Sequence, residues 1–276
     1  MKLDIRSLDE LTDLEKLALQ YSSYSRLNGF DWCQAQYFYN YIIKIPQESG
    51  DKALLGNIIH KALELTVRDG EVTKLPELLD NYRAAYEDYD PDETIISDEL
   101  YQVGIEMLQD YVVREGHRKE TITEAEQEFS FVFNSTLIRG FMDRIFVDGD
   151  KVYIEDLKSG TWQVADKKVP TDLQLGIYAL YAKYLYPDKQ ITASLYYLRN
   201  GKKKSYTFSD EDFEGIQERL RAQIDKVRNR TNYLPTQEQW KCKMCSYAKD
   251  ATCPTGRGIY DRAKNSSVKY QSQYYS

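Results

Sequence analysis

The sequence predicts an α/β protein: a mixed central sheet flanked by helices. Two observations carry this. Between residues 124 and 208, apolar runs of strand length follow one another, punctuated by Asp148-Gly149 and Asn200-Gly201, both strong tight-turn pairs. On either side, and again from Thr171, apolar residues recur at the three- and four-residue spacing of helices. The 276 residues, 42% apolar and 13% aromatic, suffice for a sizeable core in one large domain or two small ones.

In chain order, Ser7-Leu-Asp-Glu10 has the form of a capping box, and Leu8, Leu11, Leu14 and Leu17 follow at helical spacing. An aromatic run, Tyr37, Phe38, Tyr39 and Tyr41, reads as core packing. Residues 51–68 read as a helix with Ile58, Ile59, Ala62, Leu63 and Leu65 on a broad apolar face. His60 and Glu64, four apart, share a face of it. Two further helices are expected, one starting at Pro76 and one capped by Ser97 and ending at Gly116. Strands are expected at 127–133, 137–147 and 151–158. A helix follows, opened by Thr171-Asp-Leu-Gln174 in capping-box form, which offers Gln174 a purely structural role. Strands at 190–198 and 202–208 come next. Ser209 then caps a last helix carrying Phe213, Ile216, Leu220, Ile224 and Val227.

The chemistry gathers between Gly140 and Tyr178. A strand alternates its side chains, so Asp156 and Lys158 share a face while Glu155 and Leu157 take the other. The hairpin turn at Asp148-Gly149 can bring Asp143 close to Asp156. Asp and Lys are poor strand formers, and two carboxylates held together suit a hard divalent cation, Mg2+ or Mn2+. A lysine beside such a site can orient water or steady developing negative charge.

The cysteines form a second group. Cys242, Cys245 and Cys253 make Cys-x2-Cys-x7-Cys, and Cys33 stands far upstream. Four such thiolates could close a metal site stapling distant segments together, and spacing alone leaves zinc and an iron–sulfur cluster both open.

Gly140-x-x-Asp143, then Asp156-x-Lys158, then Gln174-x-x-x-Tyr178, preceded by Gly56-x-x-x-His60-x-x-x-Glu64, resembles the PD-(D/E)XK nuclease superfamily. It is most similar to the RecB-like branch, which includes the AddB nuclease domain and CRISPR-associated RecB-like exonucleases. The resemblance implies a restriction-endonuclease-like core, for which strand, strand, strand, helix, strand is the expected order. It implies that His60, Asp143, Asp156 and the Leu157 carbonyl hold the metal, with Lys158, Gln174 and Tyr178 beside it. One upstream cysteine with three near the C-terminus is similar to the iron–sulfur members, which implies a structural 4Fe–4S cluster on Cys33, Cys242, Cys245 and Cys253. The reaction implied is metal-dependent cleavage of DNA phosphodiesters, by an exonuclease acting on single strands in repair, recombination or CRISPR-type processing. Other readings are a nuclease-fold DNA-binding or assembly subunit and a structure- or site-specific endonuclease.

The resemblance covers most of the chain: one nuclease unit over 1–260, a helical insertion at about 70–120, a cluster segment at 240–254, and a flexible tail over 261–276. The net charge of -7 excludes a globally basic nucleic-acid binder, though local patches carry such binding. Arg199, Lys202, Lys203 and Lys204 at the Asn200-Gly201 turn form the candidate DNA contact. His117 is assigned no role. There is no Gly-x-x-x-x-Gly-Lys-Ser/Thr loop, so a helicase or recombination partner would act in trans. The N-terminus lacks a signal-peptide core and no run can span a membrane, so a soluble cytoplasmic protein is expected.

Overall fold

The computed structural model describes residues 3–47, 50–68, 71–72, 74–92, 95–116, 122 and 124–262. His117 and most of the expected tail, 263–276, lie outside the described residues. The elements in order are α1 (Asp13–Leu17), β1 (Gln20–Ser22), α2 (Tyr24–Trp32), α3 (Gln34–Tyr37), a π-helical turn (Phe38–Ile42), α4 (Asp51–Glu64), β2 (Val67–Arg68), β3 (Glu71–Val72), α5 (Leu75–Tyr89) and α6 (Asp98–Glu115). The sheet strands β4 (Glu124–Phe133), β5 (Thr136–Asp148) and β6 (Lys151–Lys158) follow. Then come α7 (Leu173–Leu185), β7 (Gln190–Tyr197), β8 (Lys202–Thr207), α8 (Asp210–Arg228), α9 (Gln239–Met244) and α10 (Ser246–Lys249).

The chain divides into two compact units. One comprises residues up to Tyr21 together with 49–221. The other comprises 22–48 and the residues from 222 onward.

The first unit is built on a six-stranded mixed sheet, in the order β1-β5-β6-β7-β8 with β4 also paired to β5. The strands β4, β5 and β6 form an antiparallel meander, whose second turn is made by Gly149 at a left-handed φ of 55°. The β6–β7 pair is parallel, in continuous register from Lys151↔Gln190 to Lys158↔Tyr197. A parallel pair needs a crossover, and α7 supplies it. Leu175, Ile177, Ala179 and Leu180 of α7 are fully buried, so the crossover helix is apolar nearly all round. A separate core joins α4, α5 and α6 to the sheet through Ile58, Ile59, Leu78, Tyr82, Leu108 and Tyr111, packed with Leu157, Tyr196 and Leu198. This is why α4 docks at the end of β6, and it brings His60 to the carboxylates.

Three local expectations are corrected. The leucine-spaced N-terminal helix is two short pieces. A 3₁₀ turn over Leu8–Glu10 closes on its own capping box at Ser7, and a second box, Thr12 with Glu15, starts α1 afresh. Leu14 and Leu17 are 79% and 85% exposed, so their spacing does not mark a buried face. The 51–68 helix stops at Glu64, where β-branched Thr66 bonds back to the Ala62 carbonyl and the chain enters β2. The crossover helix is capped by Asp172, whose Oδ1 accepts from Leu175 N–H at 3.1 Å, and not by Thr171.

Candidate metal centre and catalytic site

Both ladders flanking Asp143 break at it. The β4–β5 register passes from Ala125↔Arg144 to Gln127↔Met142 and omits the pair between, Glu126 and Asp143. The β5–β6 register ends at Arg144↔Glu155. Beyond it the Asp143 side chain takes over, its Oδ2 accepting from the Leu157 N–H. Glu126 has a φ of 48°, a left-handed backbone that costs about 1–2 kcal/mol in a residue with a Cβ.

With the chain so turned, Glu126 Oε1 lies 3.8 Å from His60 Nδ1, and Asp143 Oδ1 lies 3.4 Å from the same nitrogen. One ligand atom from each of His60, Glu126 and Asp143 falls within 4.8 Å of the others. Opposite ligands of a single hard ion stand about 4.2 Å apart, twice an Mg–O distance, so the group is of the right size. The two carboxylates suit Mg2+ or Mn2+. Burial works to lower the His60 pKa, but hydrogen bonds to Asp143 and Glu126, with the charges of Asp143 and Asp156, raise it to about 10. The pocket is thus strongly cation-seeking. Glu64 turns away and pairs with Lys61 at 2.9 Å.

Beside this group four side chains close a ring. Lys158 Nζ stands 2.6 Å from Asp156 Oδ2 and donates to Gln174 Oε1 at 2.9 Å. Gln174 Nε2 donates to the Tyr178 hydroxyl at 2.9 Å, and that hydroxyl reaches back to Asp156 Oδ1 at 3.4 Å. Gln174 is free for this because Asp172 caps the helix in its place. Asp156 is buried, which pushes its pKa up, to about 6, against the pull of Lys158. Burial opposes the charge of Lys158, but Asp156 and Asp143 outweigh it and hold the pKa above the ordinary lysine value. Burial, then the charges of Asp156 and Asp143, raises Tyr178, so it is a neutral donor.

The family model of the PD-(D/E)XK nuclease superfamily matches residues 21–254. The chain belongs to this superfamily. No curated protein matches the chain by sequence. Among solved structures, a provisionally named exonuclease from Eubacterium rectale is similar in fold. It superposes with a TM-score of 0.51 at 10% identity, over 89% of this chain and 92% of that one. SSO0001 aligns over 74% of this chain and 95% of its own at 18% identity, with a TM-score of 0.32.

In this PD-(D/E)XK chain, then, Asp143, Asp156, Lys158, Gln174 and Tyr178 lie together in the structure, and His60 joins them from α4. Glu126 is the residue that sequence reasoning missed. It is one of three glutamates alternating along β4 with Glu124 and Glu128, and nothing in that pattern singles it out.

The basic residues at the Asn200-Gly201 turn are mostly engaged within the fold. Arg199 Nε donates to the Ser159 carbonyl at 2.9 Å. Lys203 pairs with Glu155. Lys204 lies 2.6 Å from Asp166 and donates to the Val164 carbonyl at 2.6 Å. Lys202 is exposed. The Arg199 and Lys204 contacts brace the segment after Lys158, and the Lys203 pair joins β8 to β6.

All four cysteines lie in the second unit and line one cavity. Burial first, and then the other three thiols, raises the Cys242 pKa, so thiolates there need a compensating cation. The Thr236 and Gly256 N–H groups donate to the sulfurs of Cys33 and Cys253 at 3.4 and 3.3 Å.

Proposed function

We propose that the chain is a divalent-metal-dependent deoxyribonuclease that degrades single-stranded DNA from an end, of the RecB-like iron–sulfur type. Both compact units then belong to one nuclease module, consistent with a family match that spans them. The observation that carries the reading is Lys158, held between Asp156 and Gln174 beside the His60, Glu126 and Asp143 group.

His60, Asp143 and Asp156, with the Leu157 carbonyl and Glu126, would hold the ion. When bound, the ion supplies Lewis-acid polarisation and a more acidic water. The chain's own residues do the positioning. Lys158 aims a fixed ammonium at the place where phosphate charge develops, and needs no reorganisation to do so. Gln174 orients Lys158, and Tyr178 holds Gln174 and Asp156 in the same frame. The Leu157 N–H fixes the Asp143 carboxylate.

A structural 4Fe–4S cluster on Cys33, Cys242, Cys245 and Cys253 is favoured over zinc. One upstream cysteine with three near the C-terminus, all four lining one cavity, in the arrangement the iron–sulfur members share, supports this choice. The resemblance to RecB-like exonucleases supports a single-strand substrate, with a helicase or recombination partner supplying any unwinding.

The deciding assay offers end-labelled linear single strands, closed circular single strands and blunt duplex side by side, with Mg2+ or with excess EDTA. Release of nucleotides from linear single strands, abolished by EDTA, is expected. Equal cutting of circles would make the protein an endonuclease. Faster cutting of duplex would overturn the substrate, and activity in EDTA would overturn the mechanism.

A further inference from the structure

The second unit carries an open groove that the catalytic reading does not use. Its walls include Tyr24, Asn28, Trp32, Gln36, Tyr41 and Met244, and it encloses about 880 Å³ counting its mouth. Two irregular features shape it, and each costs stability elsewhere in proteins. Gly29 sits in the middle of α2, where glycine is about 1 kcal/mol worse than alanine. A Cβ there would meet only the Tyr41 ring, at 3.5 Å, so the missing side chain leaves the floor open. Opposite it, α3 continues into a π-helical turn over Phe38–Ile42, with the Ile43 N–H donating to the Phe38 carbonyl at 3.0 Å. Such turns are rare and concentrate at functional sites. This one places Asn40 and Tyr41 in the groove wall.

The lining is chemically selective. Aromatic rings alternate with side-chain amides, and among the described residues no carboxylate or lysine lines the groove. Trp32 is held edge-on by Trp240 at 4.9 Å between centroids. The Arg26 guanidinium lies 5.2 Å from the Tyr41 ring centre, which makes that wall electron-poor. Rings accept any base by stacking, and Asn and Gln amides offer donor and acceptor together, as base edges require. Bases in a duplex are already stacked on one another and closed to such a surface.

We propose that this groove binds the unstacked bases of a single-stranded nucleic acid, by stacking on Trp32, Tyr24 and Tyr41 and by amide contacts from Asn28 and Gln36, the Asn40 Oδ1 being held by the Tyr247 hydroxyl at 2.7 Å. The proposal rests on the nuclease reading for the class of its ligand. It implies recognition through bases rather than phosphates, and hence a shallow salt dependence.

The test uses the full chain in EDTA, so that binding is measured without cleavage. A labelled oligothymidylate is compared with an abasic strand of equal length, and a bromouracil strand is photo-crosslinked to the unsubstituted protein and mapped by mass spectrometry. Crosslinks at Tyr24, Trp32 or Tyr41 are expected, together with roughly tenfold or greater weakening for the abasic strand and for Trp32→Ala. Trp32→Phe should restore most of the affinity, and Gly29→Leu should mimic the loss by filling the floor. Crosslinks confined to other residues, or an abasic strand bound as tightly as oligothymidylate, would overturn the groove. That result leaves metal-dependent cleavage standing, and binding without any cleavage would overturn the nuclease reading while leaving the groove.

Discussion

Lys158 Nζ donates a 2.9 Å hydrogen bond to Gln174 Oε1. The bond couples the last residue of β6 to the first turn of α7, and it is one side of the ring through Tyr178 and Asp156. Gln174→Ala should therefore leave the fold intact but lower the single-turnover cleavage rate by roughly 10²-fold, by analogy with losing one pre-placed donor. Lys158→Ala should lower it further. Equal rates for Gln174→Ala and the parent would show that Lys158 does not depend on the ring.

Glu126 should announce itself in metal binding. Glu126→Gln keeps the size of the side chain and removes its charge, and it is expected to weaken Mn2+ binding roughly tenfold or more, comparable with losses at supporting positions of metal sites. Calorimetry or the electron paramagnetic resonance signal of free Mn2+ measures this directly. The rise in melting temperature on adding Mn2+ should shrink in parallel, because a ligand stabilises only in proportion to its binding. An unchanged affinity would remove Glu126 from the centre.

Cys33 lies on the N-terminal side of the second unit's sequence, and the other cysteines lie more than 200 residues later. Cys33→Ala should lose iron and visible absorbance together. It should also make residues 229–262 sensitive to limited proteolysis, because the binding energy of such a site is also folding energy. Retained iron at the parent's stoichiometry would exclude Cys33 as a ligand.

Arg144 is buried between Glu115, at 3.0 Å, and Glu155, at 3.9 Å. Burial lowers its pKa, to about 10. Arg144→Met should cost about 3–5 kcal/mol in denaturant unfolding, because the buried Glu115 carboxylate loses the Arg144 charge. Arg144→Met with Glu115→Leu should recover part of the loss, and additive losses would show that the pair is not coupled.

The sheet, and the facing of Asp156 and Lys158, were legible because they rest on local rules, whereas Gln174 and Tyr178 were legible only through the family resemblance. Alternation put Asp156 and Lys158 on one face, and turn chemistry at Gly149 and Gly201 placed the hairpins. The sequence was misleading where one pattern served two purposes. Thr171-x-x-Gln174 looks like a capping box, yet Asp172 caps the helix and Gln174 turns to Lys158. Leu14 and Leu17 have helical spacing and yet are exposed. Glu126 was invisible because its role depends on a left-handed backbone, which no spacing encodes. Lys203 and Lys204 read as a phosphate-facing patch because their partners, Glu155 and Asp166, come from other elements.

The second unit is assembled from two stretches, 22–48 and the residues from 222 onward, with β4 to β8, five of the sheet's six strands, encoded between them. This has a consequence for synthesis. At ribosomal rates of about 5–20 residues per second, roughly 10–40 seconds separate the appearance of Cys33 from that of Cys242. Through that interval Cys33 is a thiol whose companions do not yet exist, and the first unit acquires its last strand, β8, before Cys242 appears. On the cluster reading proposed above, assembly of the second unit waits for Cys253, and cells short of iron should accumulate chains with a finished sheet and an unfinished second unit.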